Sequence, residues 1–286
     1  MNGFVNLLKP VGLSSSEAVV KVKRLLSDIG IKTAVGHMGT LDPLACGVLP
    51  VGIGKATRLF DYFLKKKKEY IAVFKFGIET DTLDSCGKIV NMNDKIVSKD
   101  EINGILPKFI GEIYQIPPQY SAVSVNGRRA YDIARSGKSC ELKARRVSVD
   151  NIEVLNRNSD NTFTFDIKCG SGVYIRSLVR DIADELNTVG YMAALIRKKS
   201  GLFDINDSET IEEISDDINA SIISIDKILC DMNTADFGRK DLERLKNGSM
   251  LDVDMEDGEY LIKENGNALA LARVQSGTIK LTVRLL

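Results

Sequence analysis

Residues 36–47 read GHMGTLDPLACG and run straight on into VLPVGIGKATRLF, residues 48–60. The stretch holds the only histidine of the chain, His37, and an aspartate set directly before a proline, Asp42-Pro43. Glycines stand at 36, 39, 47, 52 and 54. Three readings compete: a glycine-rich structural turn, a phosphate-binding loop, or a loop built around Asp42. The phosphate loop fails on spacing, because G-x-x-x-x-G-K-[ST] demands a glycine where Leu49 stands and a hydroxyl where Ala56 follows Lys55. A carboxylate before proline is a common turn initiator, and proline also biases the preceding residue away from helical geometry. Residue types alone therefore leave Asp42 and His37 open between turn-forming and chemical roles.

The rest of the chain narrows the class. At 286 residues there is room for one large domain and a small one, and 44% hydrophobic with 27% charged residues is ordinary globular composition. Five scattered cysteines without a C-x-x-C pair, and one histidine, leave little from which to build a disulfide framework or a metal site. The N-terminus lacks the apolar run of a signal peptide and no 18-residue apolar segment follows, so the expectation is a reduced cytoplasmic protein without a membrane partner. Net charge is zero, yet the charges are sorted. From Tyr120 to Arg146 seven Lys/Arg face Asp132 and Glu141 alone, whereas Asp204 to Asn219 carries seven acids and no base. Such separation gives a neutral molecule one phosphate-attracting face, unless both runs are merely solvated.

Ser14 and Glu17 have capping-box spacing ahead of Ala18, Val19, Val22, Leu25, Leu26 and Ile29, which predicts a helix; Ser98 and Glu101 repeat the signal. A second helix is expected from about Lys55 into the Lys65–Lys68 run. Residues 69–78 alternate as a strand, 146–157 and 162–170 read as two more, and SGVYIRSLVRDIADEL reads as a strand end followed by a helix. The last ~55 residues carry short strand-like runs between Gly/Asp turns. Strands and helices interleave without an even βαβ rhythm, so the expectation is α+β with a mostly antiparallel sheet.

Five ordered blocks, taken together, resemble the bacterial TruB family of tRNA pseudouridine-55 synthases. These are LLKPVGLSS (7–15), the quoted glycine stretch, KEYIAVFKFGIETDTLDSCG (68–87), QIPPQYSAVSVNGRRAYDIARSG (115–137) and CGSGVYIRSLVRDI (169–182). The resemblance implies the pseudouridine synthase fold, a mixed, mostly antiparallel sheet with flanking helices, plus a small C-terminal β-rich PUA-like domain. It divides the chain into a catalytic domain over 1–231, with an RNA-binding insertion at about 118–146, and a short PUA-like domain over 232–286. The implied activity is isomerisation of uridine 55 in the T-loop of tRNA. Asp42 would be the essential carboxylate, Tyr70 would lie against the uracil, Arg176 would pair with Asp42, and Leu195 would pack under the base. His37 would touch the RNA, Lys9 would sit beside the pocket, and Asp81 and Tyr174 would support it.

Elementary chemistry agrees with that reading. Moving uracil from an N1 to a C5 glycosidic bond changes no oxidation state, so no cofactor and no metal is expected. A carboxylate is needed to attack the nucleotide or to take a proton, and an arginine fork holds it in two-point geometry. A tyrosine offers an aromatic face and a polar tip, suited to stacking and proton movement. The target base must leave its stack, which costs a few kcal/mol and is easiest in loop RNA. The insertion with Arg128 and Arg129 would grip the tRNA T-loop and T-stem, with Arg197, Lys198 and Lys199 as further phosphate contacts, in a protein acting as a monomer. Two other classes compete, a tRNA-binding or folding module and a uridine methyltransferase; the latter lacks a glycine-rich cofactor loop after a strand.

Overall fold

The computed structural model describes residues 1–125, 127–138, 140–158 and 160–285. In chain order its main elements are β1 (Gly3–Lys9), α1 (Ser15–Asp28), β2 (Val35–His37), β3 (Cys46–Ile53), β4 (Lys68–Phe76), β5 (Gly111–Gln115), β6 (Arg145–Arg157), β7 (Thr162–Cys169), α2 (Ile175–Glu185), β8 (Gly190–Ser200) and β9 (Phe203–Asp204). The nine strands make one sheet in the order β1-β3-β8-β4-β7-β6-β5, with β2 on β3 and β9 on β8. Every pairing is antiparallel except β3 with β8. The fold is α+β with a mixed, mostly antiparallel sheet.

Local sequence explains the elements. Ser14 and Glu17 close the capping box of α1, whose Ala18, Val22 and Leu26 bury one stripe. Ser98 and Glu101 do the same for the helix Lys99–Ile105. In β4, Tyr70, Ala72, Phe74 and Phe76 all face the core, where Phe74 meets Phe165 at 4.5 Å between ring centroids. Helix α2 closes the same core with Leu178, Val179 and Ile182. The acidic run is no free tail. It lies along the edge strand β1, with Leu8 N–H donating to Glu209 O at 2.7 Å and Phe4 N–H to Ile223 O at 2.8 Å, while Ile214 and Ile218 enter the core. A sheet edge is thereby covered.

Two expected elements change form. Residues 54–68 make a 3-10 turn (Gly54–Leu59) and a short helix (Phe60–Leu64), and Lys68 already begins β4. The helix stops because the buried Lys68 ammonium takes the carbonyls of Leu64 and Lys66, at 2.5 and 2.6 Å. Before α2 there is a turn, not a strand end: Gln115 bonds both the N–H and the C=O of Tyr174, at 2.8 and 3.2 Å.

A separate five-stranded sheet follows, built from Thr234–Ala235, Leu251–Asp252, Gly258–Glu264, Asn267–Gln275 and Thr278–Arg284. The division drawn at 231/232 falls between the helix Ile225–Ile228 and the first of these strands. The small sheet is not merely tethered, because Leu261, Leu271 and Leu285 share one apolar cluster with Phe4, Met38, Phe63 and Phe203. Among the described residues no helix is long and apolar enough to cross a membrane.

The parallel join between β3 and β8 is short, Cys46 opposite Ile196 and Gly47 opposite Arg197. Gly47 has φ +106, and a Cβ there would stand 2.3 Å from the Arg197 carbonyl oxygen. Backbone meets backbone at this point, and only glycine allows it. Gly47→Ala is therefore expected to lower the melting temperature by roughly 5 °C or more. Gly104→Ala, in a helix with nothing within 4 Å of the added carbon, is expected to hold or slightly raise it. A thermal melt of the two variants beside wild type checks both.

Candidate active site

The loop between β2 and β3 carries Asp42, and three neighbours fix its path. Ser15, buried in the first turn of α1, accepts from Leu41 N–H at 2.7 Å and donates to Leu41 O at 2.8 Å. Gly12 N–H donates to Pro43 O at 2.8 Å, and Ala45 N–H to Asp42 O at 3.0 Å. From beneath, Arg197 donates to Val48 O at 2.7 Å, Thr40 O at 2.9 Å and Gly39 O at 3.4 Å. A buried guanidinium needs such acceptors, since it keeps its charge and its five N–H groups wherever it lies.

Arg176, the second residue of α2, reaches the carboxylate from the side. Its Nε lies 2.9 Å from Asp42 Oδ2 and its Nη2 3.2 Å from Oδ1, a two-point grip. The arginine side chain is 7% exposed and the aspartate 35%, so the cation is walled in while the carboxylate still faces a cavity. Remaining donors go to Thr82 O at 3.1 Å and Tyr120 O at 2.9 Å, and Asp84 Oδ2 stands 3.7 Å away. One side chain thus ties together the Asp42 loop, the turn after Thr80 and the start of the insertion. The cavity before Asp42 is walled by Tyr70, Tyr174, Met192 and Leu195, and it opens into a groove that runs past Ser14–Ser16 to Tyr131 and Arg135.

Burial sets the protonation of the surroundings. The Tyr70 phenol is pushed up to about 12, with Arg197 partly opposing the shift, so at neutral pH it is a hydrogen-bond donor. The Tyr174 phenol is also raised by burial. His37 is pushed down by burial and then by Arg197, which favours the neutral imidazole. Burial pulls the Lys9 ammonium down to about 8. No group of three or more His, Cys, Asp or Glu is set to hold a metal among the described residues.

The expected residues are distributed unevenly. Asp42, Tyr70, Arg176, Tyr174 and Leu195 meet at one cavity. Lys9 does not line it; fully buried, it donates to Pro10 O and Leu13 O at 2.8 and 2.6 Å and shapes the turn behind the loop. His37 lies half-buried with its ring 6.3 Å from that of Phe60, and its Nδ1 lacks a hydrogen-bond partner among the described residues. Asp81 is exposed, accepts from Lys88 N–H at 2.8 Å and braces its own turn. The residue that approaches Arg176 is Asp84, whose Oδ1 is held by Thr82 Oγ1 at 2.7 Å and Cys86 N–H at 3.0 Å. Arg197 is not a phosphate contact, being 2% exposed, while Lys198 pairs with Asp166 and Lys199 with Asp204. Ser15 and Asp84 are thus supports that sequence reasoning passed over, and Arg197 is a support that it assigned to phosphate. Arg197 had a signal, since it sits two residues from Leu195 on a strand and so faces the same way.

The insertion leaves the sheet after β5 and returns as β6, so Arg145 and Arg146 belong to the strand. It holds a hairpin, Ser124–Val125 against Arg128–Arg129, and the helix Ala130–Arg135. Asn126, in the NGRR turn, lies outside the described residues. Arg128 and Arg129 are exposed, and Arg129 donates to Ala122 O at 2.6 Å. Val123, Ala130 and Leu142 seat the insertion on Tyr174.

Comparison with known proteins finds similar chains. The family described as TruB family pseudouridylate synthase, N-terminal domain, matches residues 24–175. The chain is 40% identical to tRNA pseudouridine synthase B of Clostridium novyi, with 100% of each chain covered. It is 38% identical to that of Borreliella afzelii, covering 96% of this chain and 95% of the relative. Among solved structures, a Cbf5-Nop10-Gar1 complex contains a chain that superposes with a TM-score of 0.74 at 24% identity, over 99% of this chain and 85% of that one. The box H/ACA sRNP Nop10-Cbf5 complex gives 0.73 at 23%, over 99% and 86%. At such identities the likeness speaks for the fold.

The buried Lys9 has a measurable signature. Its folded pKa near 8 lies below the ordinary value of 10.5, so between those values the unfolded chain binds more protons and stability rises with pH. Lys9→Met removes that contribution. Between pH 8 and 9 its unfolding free energy, from urea titrations, is expected to rise less steeply than wild type's by up to about one proton, about 1.4 kcal/mol per pH unit.

Proposed function

We infer that this chain, which belongs to the TruB family of pseudouridylate synthases, converts uridine to pseudouridine at position 55 in the T-loop of tRNA. The observation that carries the site assignment is the two-point Arg176–Asp42 pair at the mouth of a cavity walled by Tyr70 and Leu195. It works as a cytoplasmic monomer in this reading, and what supports the monomer is that one chain supplies all four residues.

The reaction breaks the N1–C1′ bond, turns the uracil, joins C5 to C1′, gives up the C5 proton and takes up a proton at N1. With no change of oxidation state, the chain's own side chains suffice. The target uridine leaves its stack and enters the cavity, where Asp42 meets the nucleotide. Arg176 occupies one side of the carboxylate and so directs its free side toward the substrate. It also balances the charge that burial would otherwise penalise. Leu195 gives the base an apolar floor, and Tyr70 gives it an aromatic wall. A phenol held near 12 stays protonated in the resting site, so it donates before it accepts a proton, and Arg197 beside it eases the passage through the phenolate. The insertion, exposed and basic at Arg128 and Arg129, holds the RNA strand that flanks the flipped base.

Two experiments test this. Tritium release from tRNA labelled at uracil C5 is expected from the wild type and is expected to fall by at least ~10⁴-fold in Asp42→Asn, with tRNA binding within about threefold. Wild-type protein that binds tRNA without releasing tritium would remove the isomerase reading; full release by the variant would remove Asp42's role. Arg128→Ala/Arg129→Ala is expected to weaken tRNA binding and to flatten the plot of log Kd against log salt by about 1.5. An unchanged slope would count against that surface.

A further inference from the structure

The run Lys65-Lys66-Lys67-Lys68 is not explained by the catalytic site, yet it lies beside it. From Arg58 to Lys68 there are five basic residues and one acid, Asp61. Lys68 alone turns inward, onto the carbonyls of Leu64 and Lys66, and this fixes the shape of the turn. Lys65 and Lys67 are exposed, and Lys66 lies over the Tyr62 ring at 3.9 Å. Lys67 is shared with Asp150 at 3.0 Å, but at 75% side-chain exposure that pair is screened. The turn is held on its far side by Gly201 N–H donating to Lys67 O at 2.9 Å. Its two loose cations therefore stand on an ordered backbone.

Two exposed apolar side chains join this run to the catalytic loop. Phe60, 36% exposed, meets His37 edge to face, and Leu64, 40% exposed, lies against Gly39. Lys68 is two residues from Tyr70 on the same strand, about 7 Å at the rise of a β-strand. The Thr40–Asp42 end of the loop thus lines the groove toward Tyr131 and Arg135, while its His37–Gly39 end meets Phe60 and Leu64. An RNA strand that delivers a base to Asp42 and runs along the loop to its His37 end meets Phe60, Leu64 and the lysine turn. Cations on an apolar strip suit the phosphates and sugar faces of such a strand.

We propose that Phe60, Leu64 and the Lys65–Lys67 turn form a second RNA-binding surface, which holds the sugar-phosphate backbone of the T-arm beside the His37 end of the Asp42 loop. The proposal rests on the uridine-isomerase reading above. The test measures binding of an isolated T-arm stem-loop RNA across a salt series, in the Asp42→Asn background so that the RNA is not converted. In Lys65→Gln/Lys66→Gln the Kd near 0.1 M salt is expected to rise about tenfold, and the salt slope to become shallower by about 1.5. Lys65→Arg/Lys66→Arg is expected to keep the slope. An unchanged slope in the Gln pair overturns the proposal, as does equal loss in the Gln and Arg pairs, which would make the contact one of shape. Weaker binding of full-length tRNA with unchanged stem-loop binding also overturns it, by placing the contact outside the arm. Failure of the isomerase reading is seen separately, in tritium release by the unsubstituted protein.

Discussion

A guanidinium taken out of water must be given acceptors in every direction it points, and Arg176 obeys that constraint across the whole site. Its donors reach Asp42, Thr82 and Tyr120, three segments far apart in sequence, and its position comes from the first turn of α2. Leaving such a charge buried without its partners costs several kcal/mol. The carboxylate, the turn that carries Asp84 and the root of the insertion are therefore held to one geometry by one requirement. The desolvated cation is what fixes the position of the aspartate at the cavity mouth.

Arg197 solves the complementary problem. A loop between two strands has carbonyls that no ladder satisfies, and those of Gly39 and Thr40 find their donors in a side chain from the neighbouring strand. That strand can approach because Gly47 has no Cβ. Glycine, arginine and the short parallel join are thus one device: close backbone approach brings the guanidinium under the loop, and the loop then holds Asp42 above it. Gly52 and Gly54 serve protein packing in the same way, since a Cβ at either would stand within 3 Å of a neighbouring atom.

How much of this was legible depended on the range of the interaction. Capping boxes at Ser14 and Ser98, and the alternation through Tyr70 to Phe76, act within a few residues and were readable. The ordered motif blocks carried the family and with it Asp42, Tyr70 and Arg176. What failed was choosing among chemically equal neighbours. Asp81 and Asp84 share one turn, and only the path of the chain decides which carboxylate meets Arg176. Lys9 was expected beside the pocket and Lys68 at the end of a helix, because nothing local says that a carbonyl pair waits for each of them. Arg197 looked like a phosphate contact among basic neighbours, although its strand phase pointed inward.

The bond from Arg176 to the Tyr120 carbonyl has a consequence for fidelity. Tyr120 stands at the root of the insertion proposed to meet the RNA, and the same guanidinium aligns the carboxylate proposed to react. In that reading an RNA that seats the insertion badly pulls on Tyr120, and Arg176 is the single residue between Tyr120 and Asp42. Discrimination between right and wrong RNAs then falls on the turnover of bound molecules more than on how tightly they bind. An enzyme wired in this way can sample many similar loops quickly, release them unharmed, and commit only where the fit is complete.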